Sequence, residues 1–146
     1  MPALPWIKAG TADPDADLTV IASRLPLRSH RDVPRFLWHT WLVHRQLARS
    51  PGLVGYSLDA RLLGKTFWTV SAWTNRPDLG GFDRSSPHRV AKRAIRPAML
   101  PSTFVMWSCS ASSLPIPWRE VRSRVEAAGV RRDLDQSGPS SVVGRA

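Results

Sequence analysis

The sequence predicts one α+β domain of the ferredoxin-like type, a β-α-β-β-α-β antiparallel sheet with helices on one face. The chain has 146 residues, of which 42% are hydrophobic and 22% charged, as expected of a single globular domain. Strand-like and helix-like segments alternate in the order that this fold requires. The octet at 66–73, Thr-Phe-Trp-Thr-Val-Ser-Ala-Trp, places β-branched or aromatic residues on both faces of one predicted strand.

The first two elements are a strand and a helix. Residues 18–24 are β-rich and short, which predicts the first strand. Asp32 as N-cap and Pro34 near the first helical position begin a helix that ends before the Ser-Pro-Gly at 50–52. The helical period places one row of side chains inward: Val33, Leu37, Thr40, Trp41, His44, Leu47 and Ala48. His44 is therefore expected to point toward the sheet, whereas His39 falls on another side.

A hairpin and a second helical region complete the domain. Two strands at 53–63 and 65–73 are predicted to turn about Gly64. The later elements are a short helical piece at 77–82, a helix at 87–96, a strand at 103–110 and a final helix at 118–128. Pro117 and Gly129 mark the start and the end of the final helix.

Composition divides the chain into three parts. Residues 1–16, with three prolines, are expected to be an irregular lead-in, and residues 17–128 form the ferredoxin-like domain. Residues 129–146 are polar and basic, lack an apolar period and contain turn-forming residues, so a disordered tail is predicted.

The predicted sheet has too many apolar residues on both faces for either face to contact water. In the strand at 65–73, Thr69, Ser71 and Trp73 alternate with Trp68 and Val70. Because the two main helices cover only one face, a second copy of the chain is expected to cover the other, as a two-fold homodimer. The alternative is that the final helix and the N-terminal segment cover that face within one chain.

A net charge of +10 raises the question of a nucleic-acid partner. The basic residues are spread along the chain, and the one dense run comprises Arg84, Arg89, Lys92, Arg93 and Arg96. This run is interpreted as a solvated helix face or, alternatively, a rim that attracts anions, so nucleic acid is not expected.

The cysteine and histidine content predicts neither a disulfide nor a metal site. Cys109 is the single cysteine, and the four histidines are scattered without paired ligand spacing. No targeting or membrane-spanning segment is evident, so a cytoplasmic protein is expected.

Three motifs resemble the dimeric α+β barrel superfamily that includes the antibiotic-biosynthesis monooxygenases. They are Pro-Gly-Leu-Val-Gly-Tyr-Ser-Leu at 51–58, the run at 67–73, and Ser-Pro-His-Arg at 86–89. The likeness covers about residues 17–115 and is greatest to a bacterial branch that is also similar to spheroidene monooxygenase. It implies a dimeric α+β barrel and a small-molecule substrate. Members oxidise quinols and anthrones without a cofactor, bind or degrade haem, or have no known catalysis.

The hypothesis favoured here is a monooxygenase-like protein that oxidises an aromatic or isoprenoid-like substrate without a cofactor. Such chemistry needs an apolar cavity, a base and hydrogen-bond donors for a developing oxyanion. The candidate catalytic residues are His88, His44 and Trp73, and the candidate substrate-binding residues are Trp68, Thr69, Ser71 and Arg89. Each of these also has a purely structural interpretation, as core or interface packing or as helix capping.

Two alternatives stay open at this point. Haem could bind through His88, with Arg89 or Arg93 near the propionates, although the haem-degrading relatives carry their ligand histidine further along the second helix. The other alternative is a non-catalytic dimeric binding protein with a basic surface.

Overall fold

The structure is a computed structural model that describes residues 5–47, 49–61, 63–75, 77–78, 81 and 88–136. The strands are β1 (Ile7–Lys8), β2 (Asp17–Pro26), β3 (Leu53–Arg61), β4 (Thr66–Trp73) and β5 (Thr103–Ser110). The principal helices are α1 (Val33–Leu47), α2 (His88–Ile95) and α3 (Trp118–Gln136). The strands form one antiparallel sheet in the order β1-β3-β4-β2-β5. Apart from β1, this is the predicted ferredoxin-like arrangement.

The N-terminal segment is more regular than predicted. Ile7 and Lys8 pair with Tyr56 and Gly55 and add a short edge strand to the sheet. The ring of Trp6 lies against Gly55, in space that the Cβ of any other residue would occupy. Gly55 therefore lets the lead-in pack directly on the backbone of β3.

The final helix continues past its predicted end at Gly129. Arg132 donates hydrogen bonds to the carbonyl of Ser102 and to Oγ1 of Thr103, which fixes the later turns beside the start of β5. The predicted disordered tail is therefore helical as far as Gln136, and residues 137–146 lie outside the described residues. Of the predicted helical piece at 77–82, the structure describes residues 77, 78 and 81, which are helical.

The first helix is rotated relative to the prediction. Phe36 is buried and its ring packs 4.2 Å from that of Phe67, whereas Leu37 and Trp41, both predicted to face inward, are exposed. The inward row comprises Val33, Phe36, Thr40, Val43 and Leu47, so that Phe36 and Val43 take the places predicted for Leu37 and Trp41.

The predicted cap of this helix is also wrong. A 3₁₀ turn at His30–Asp32 precedes α1, and the side chain of Ser29 caps that turn by accepting from the backbone N–H of Arg31. Asp32 lies inside the turn and so is not the N-cap.

Helices of the same chain pack on both faces of the sheet, although the face beneath α1 and α2 stays open along β5. α1 and α2 pack on the face that carries Phe67, and α3 packs on the face that carries Val70. Val121 and Val125 of α3 are almost completely buried. α3 and the N-terminal segment provide the cover on that second face, which is the alternative given above, and homodimerisation itself stays a prediction.

A buried carboxylate ties α3 to the sheet. Asp59 of β3 is fully buried, and its Oδ2 accepts from Nε of Arg61 at 3.1 Å and from Nη2 of Arg122 on α3. Its Oδ1 has no hydrogen-bond partner among the described residues. A buried charge is tolerated only when it is paired, so α3 must stay in place for Asp59 to remain buried at low cost.

We expect Arg122→Ala to lower the free energy of unfolding by about 3 kcal/mol, the low end for one partner of a buried ion pair, because Arg61 stays beside Asp59. Urea unfolding measures this loss. Arg119→Ala, an exposed change on the same helix, is the matched control and should cost under about 0.5 kcal/mol. Equal stability of the two variants would show that Asp59 does not hold α3.

Candidate functional site

A row of hydroxyl groups lies on the sheet face that α1 and α2 cover. In the strand register Ser71 stands between Tyr56 and Ile21, and Thr69 stands opposite Ser23. Residues directly opposite each other on paired strands project to the same face, so all four hydroxyls share it. We call Ser23, Tyr56, Thr69 and Ser71 the hydroxyl floor.

Two hydrogen bonds fix the orientation of this floor. The hydroxyls of Ser23 and Thr69 bond to each other, and Nε1 of Trp73 donates to Oγ of Ser71 at 2.9 Å. Ser23 and Trp73 are buried, while Thr69 and Ser71 keep partial exposure. A serine hydroxyl that accepts one hydrogen bond still has its own proton to donate. Ser71 is thus oriented by Trp73 and keeps a donor for a ligand.

His44 approaches the floor from α1. The hydroxyl of Tyr56 lies 3.0 Å from Nδ1 and 3.3 Å from Nε2 of His44, and the two rings meet edge to face at 5.3 Å. Burial raises the pKa of Tyr56, so its phenol stays protonated near neutral pH and can donate to a ring nitrogen of His44 that carries no proton. The predicted inward direction of His44 is confirmed.

The remaining predicted site residues are placed differently. Trp68 lies on the opposite face beneath α3, where the guanidinium of Arg24 stands 5.9 Å from its ring centroid. His88 is the first residue of α2, and the side chains of His88 and Arg89 lie outside the described residues. The structure brings together His44, Thr69, Ser71 and Trp73 and separates Trp68 from them.

A small apolar cavity lies between α1, α2 and the sheet. Its volume is about 140 Å³, and it is lined by Leu25, Phe36, His39, Thr40, Val43, Lys92, Ile95 and Met99. His39, predicted to lie on another side of α1, therefore lines this cavity, and His44 does not. The rotation of α1 described above accounts for the difference.

The described residues offer few other reactive groups. No cluster of three or more His, Cys, Asp and Glu side chains able to hold a metal ion occurs among them. The pKa of the Cys109 thiol is raised mainly by burial, with Glu120 and Asp17 adding to the shift and Arg124 opposing it. Cys109 thus stays protonated and is a poor nucleophile. None of the described helices has the length and apolar character needed to cross a bilayer.

An antiparallel α+β sheet with this fold is also found among solved monooxygenase structures. A candidate antibiotic biosynthesis monooxygenase from Nitrosomonas europaea superposes with a TM-score of 0.57 at 16% identity, covering 63% of this chain and 89% of that one. SnoaB from Streptomyces nogalater, described as a cofactor-independent oxygenase, superposes with a TM-score of 0.55 at 18% identity, covering 68% of this chain and 99% of that one. PA3566 from Pseudomonas aeruginosa has a TM-score of 0.55 at 14% identity, covering 68% of this chain and 100% of that one.

These likenesses show the fold that the chain shares with the antibiotic biosynthesis monooxygenases. The predicted resemblance to that group is confirmed at the level of the fold. The comparison with spheroidene monooxygenase stays a prediction. No family model matches the chain, and no curated protein does.

We expect Tyr56 to titrate above its ordinary pKa of 10.0 in the folded protein. It is the only tyrosine, so tyrosinate absorbance reports this group alone, and the urea-unfolded chain provides the reference. Because folding raises this pKa, the neutral phenol stabilises the fold below pH 10.0, and that contribution disappears as the pH rises through the folded-state pKa. A folded-state midpoint at or below that of the unfolded chain would contradict the burial of Tyr56.

Proposed function

We propose that this protein is a cofactor-independent oxygenase of an aromatic or isoprenoid-like small molecule. The hydrogen bond between Tyr56 and His44, next to the partly exposed hydroxyl of Ser71, is the observation that carries the proposal. It supplies a base, a proton relay and a donor on one sheet face. The likeness to SnoaB, a cofactor-independent oxygenase, supports the same chemistry for this fold.

The residues suit removal of a proton from a hydroxylated aromatic substrate. Ser71 and Thr69 orient the substrate oxygen, and Tyr56 passes the released proton to His44. The resulting anion is electron-rich enough to react directly with dioxygen. For an anthrone-like methylene the balance is CH₂ plus O₂ giving C=O plus water, so no external reductant is required.

The other predicted residues keep narrower roles in this proposal. Trp73 positions Ser71, because its indole N–H is already directed at that oxygen. His88 stays a second candidate base and Arg89 a candidate anion contact, both at the start of α2. Trp68 is left out of substrate binding because it lies on the opposite face. Haem binding through His88 stays a prediction, which a Soret band lost in His88→Ala would support.

We further propose a homodimer that forms at the open edge of the sheet. β5 is an edge strand, and the side chains of Phe104 and Met106, which project from the same sheet face as Ser23, are 59% and 37% exposed. An edge strand with apolar side chains is a ready surface for a second chain.

In the activity test we expect oxygen uptake with anthrones or naphthoquinols in the presence of a chelator and no added cofactor. His44→Ala should lower kcat about a hundredfold, as loss of a general base does. Tyr56→Phe should also lower kcat, because the relay to His44 is lost. His30→Ala, an exposed histidine bonded to the carbonyl of Leu63, is the control and should leave kcat unchanged.

Full activity in His44→Ala and Tyr56→Phe would contradict the proposed roles of both residues. Binding of the same compounds without any oxygen uptake by the unaltered protein would assign it to the non-catalytic class.

For the dimer, we expect light scattering to give twice the mass of one chain. Phe104→Lys combined with Met106→Lys should reduce that mass to one chain, because two charges at the contact must be desolvated. Val130→Lys on α3, also 59% exposed in the unaltered protein, should leave the dimer intact. A monomeric unaltered protein, or a double variant that still dimerises, would rule out this edge as the interface.

A further inference from the structure

The outer surface of α1 is apolar although it faces solvent. Leu37, Trp38 and Trp41 are 39%, 59% and 48% exposed, and the two indole rings lie 5.4 Å apart. The inward row of α1 is apolar as well, so the helix is hydrophobic on most of its circumference. Such a helix is normally covered on both sides. We call Leu37, Trp38 and Trp41 the aromatic face.

Basic residues lie on α1 and next to its ends, and Asp32 is the one carboxylate directly before the helix. Exposed arginines lie along and beside α1 at positions 31, 35, 45 and 49, and the guanidinium of Arg45 stands 5.1 Å from the ring centroid of Trp41. The helix itself contains no Asp or Glu. On α2, Lys92 and Arg93 are also exposed on the same helical layer. The ligand of this surface must therefore accept both tryptophan rings and several cations.

We propose that the aromatic face and its arginines bind the surface of an anionic lipid bilayer. Tryptophan rings partition to the boundary between headgroups and acyl chains, and arginines pair with lipid phosphates. A helix that lies flat on a membrane combines an apolar face with basic residues in this way. The apolar cavity between α1 and α2, which the exposed Lys92 helps to line, would then lie near the lipid.

The charge and the apolar surface of α1 favour a bilayer over a second copy of the chain and over single-stranded nucleic acid. A second copy bound through a two-fold contact would bring Arg35 and Arg45 toward the same arginines, and α1 supplies no carboxylate to pair with them. Single-stranded nucleic acid would stack its bases on aromatic rings. Here Arg45 already stands over the ring of Trp41, and Leu37 offers an apolar surface that bases do not require. This inference does not depend on the oxygenase reaction.

Vesicle flotation with the full chain tests the proposal. We expect binding to phosphatidylcholine vesicles that contain phosphatidylglycerol, and little binding to phosphatidylcholine alone. We expect two double variants to weaken binding about tenfold or more. Trp38→Ala with Trp41→Ala removes the apolar surface that enters the bilayer. Arg35→Glu with Arg45→Glu replaces attraction to the lipid phosphates with repulsion. Urea unfolding verifies that the variants are folded.

The matched control is Arg119→Glu with Arg131→Glu on α3, which changes the net charge equally on the opposite side of the sheet. It should weaken binding far less. Equal losses in the control and the Arg35 and Arg45 variant would overturn the proposal, because net charge alone would then explain binding. Two other results would also overturn the proposal. One is a dimer that dissociates when Trp38 and Trp41 are replaced. The other is an oligonucleotide that binds through those two residues while vesicles do not bind.

Discussion

A sheet with large apolar side chains on both faces needs helices packed on both, and the rest of this fold depends on how one chain supplies them. α1 and α2 cover one face, and α3 covers the other with Val121 and Val125. Hydrophobic burial drives this packing, but the paired charges of Asp59, Arg61 and Arg122 specify where α3 lies. If α3 left the sheet, Trp68 and its neighbours would be exposed to water.

The two covered faces differ in chemistry, and that difference locates the candidate site. Beneath α3 the sheet presents close-packed aliphatic and tryptophan side chains. Beneath α1 and α2 it presents the hydroxyl floor, with Thr69 and Ser71 still partly exposed and Tyr56 bonded to His44. A small molecule that needs hydroxyl groups in an apolar setting finds a row of them on the second face.

The sequence predicted much of the fold because strand alternation and turn residues are local signals. The hairpin at Gly64, the two-faced strand at 66–73 and the order of elements all follow from neighbouring residues. The rotation of α1 could not be predicted in the same way. Leu37 and Trp41 fit an inward row as well as Phe36 does, and only the contact of Phe36 with Phe67 decides between them.

The candidate site was predicted in part for the same reason. His44, Thr69, Ser71 and Trp73 follow from helix and strand periodicity, so their common face could be inferred. Tyr56 was missed as a site residue, although it is the single tyrosine of the 51–58 motif, because its partner His44 lies on a different element. The length of α3 was underestimated because Gly129 is a common helix terminator, and the contact of Arg132 with the start of β5 is long-range.

The most direct test of this account asks which sheet face receives a small molecule. Nitrogen-15 NMR of the tryptophan indoles, recorded while dihydroxynaphthalene is added, distinguishes the faces, since Trp73 lies beside Ser71 and Trp107 lies on the α3 side. We predict a saturable shift of the Trp73 indole signal with the Trp68 and Trp107 signals unchanged. A shift confined to Trp68 and Trp107 would contradict the assignment of the site to the hydroxyl floor.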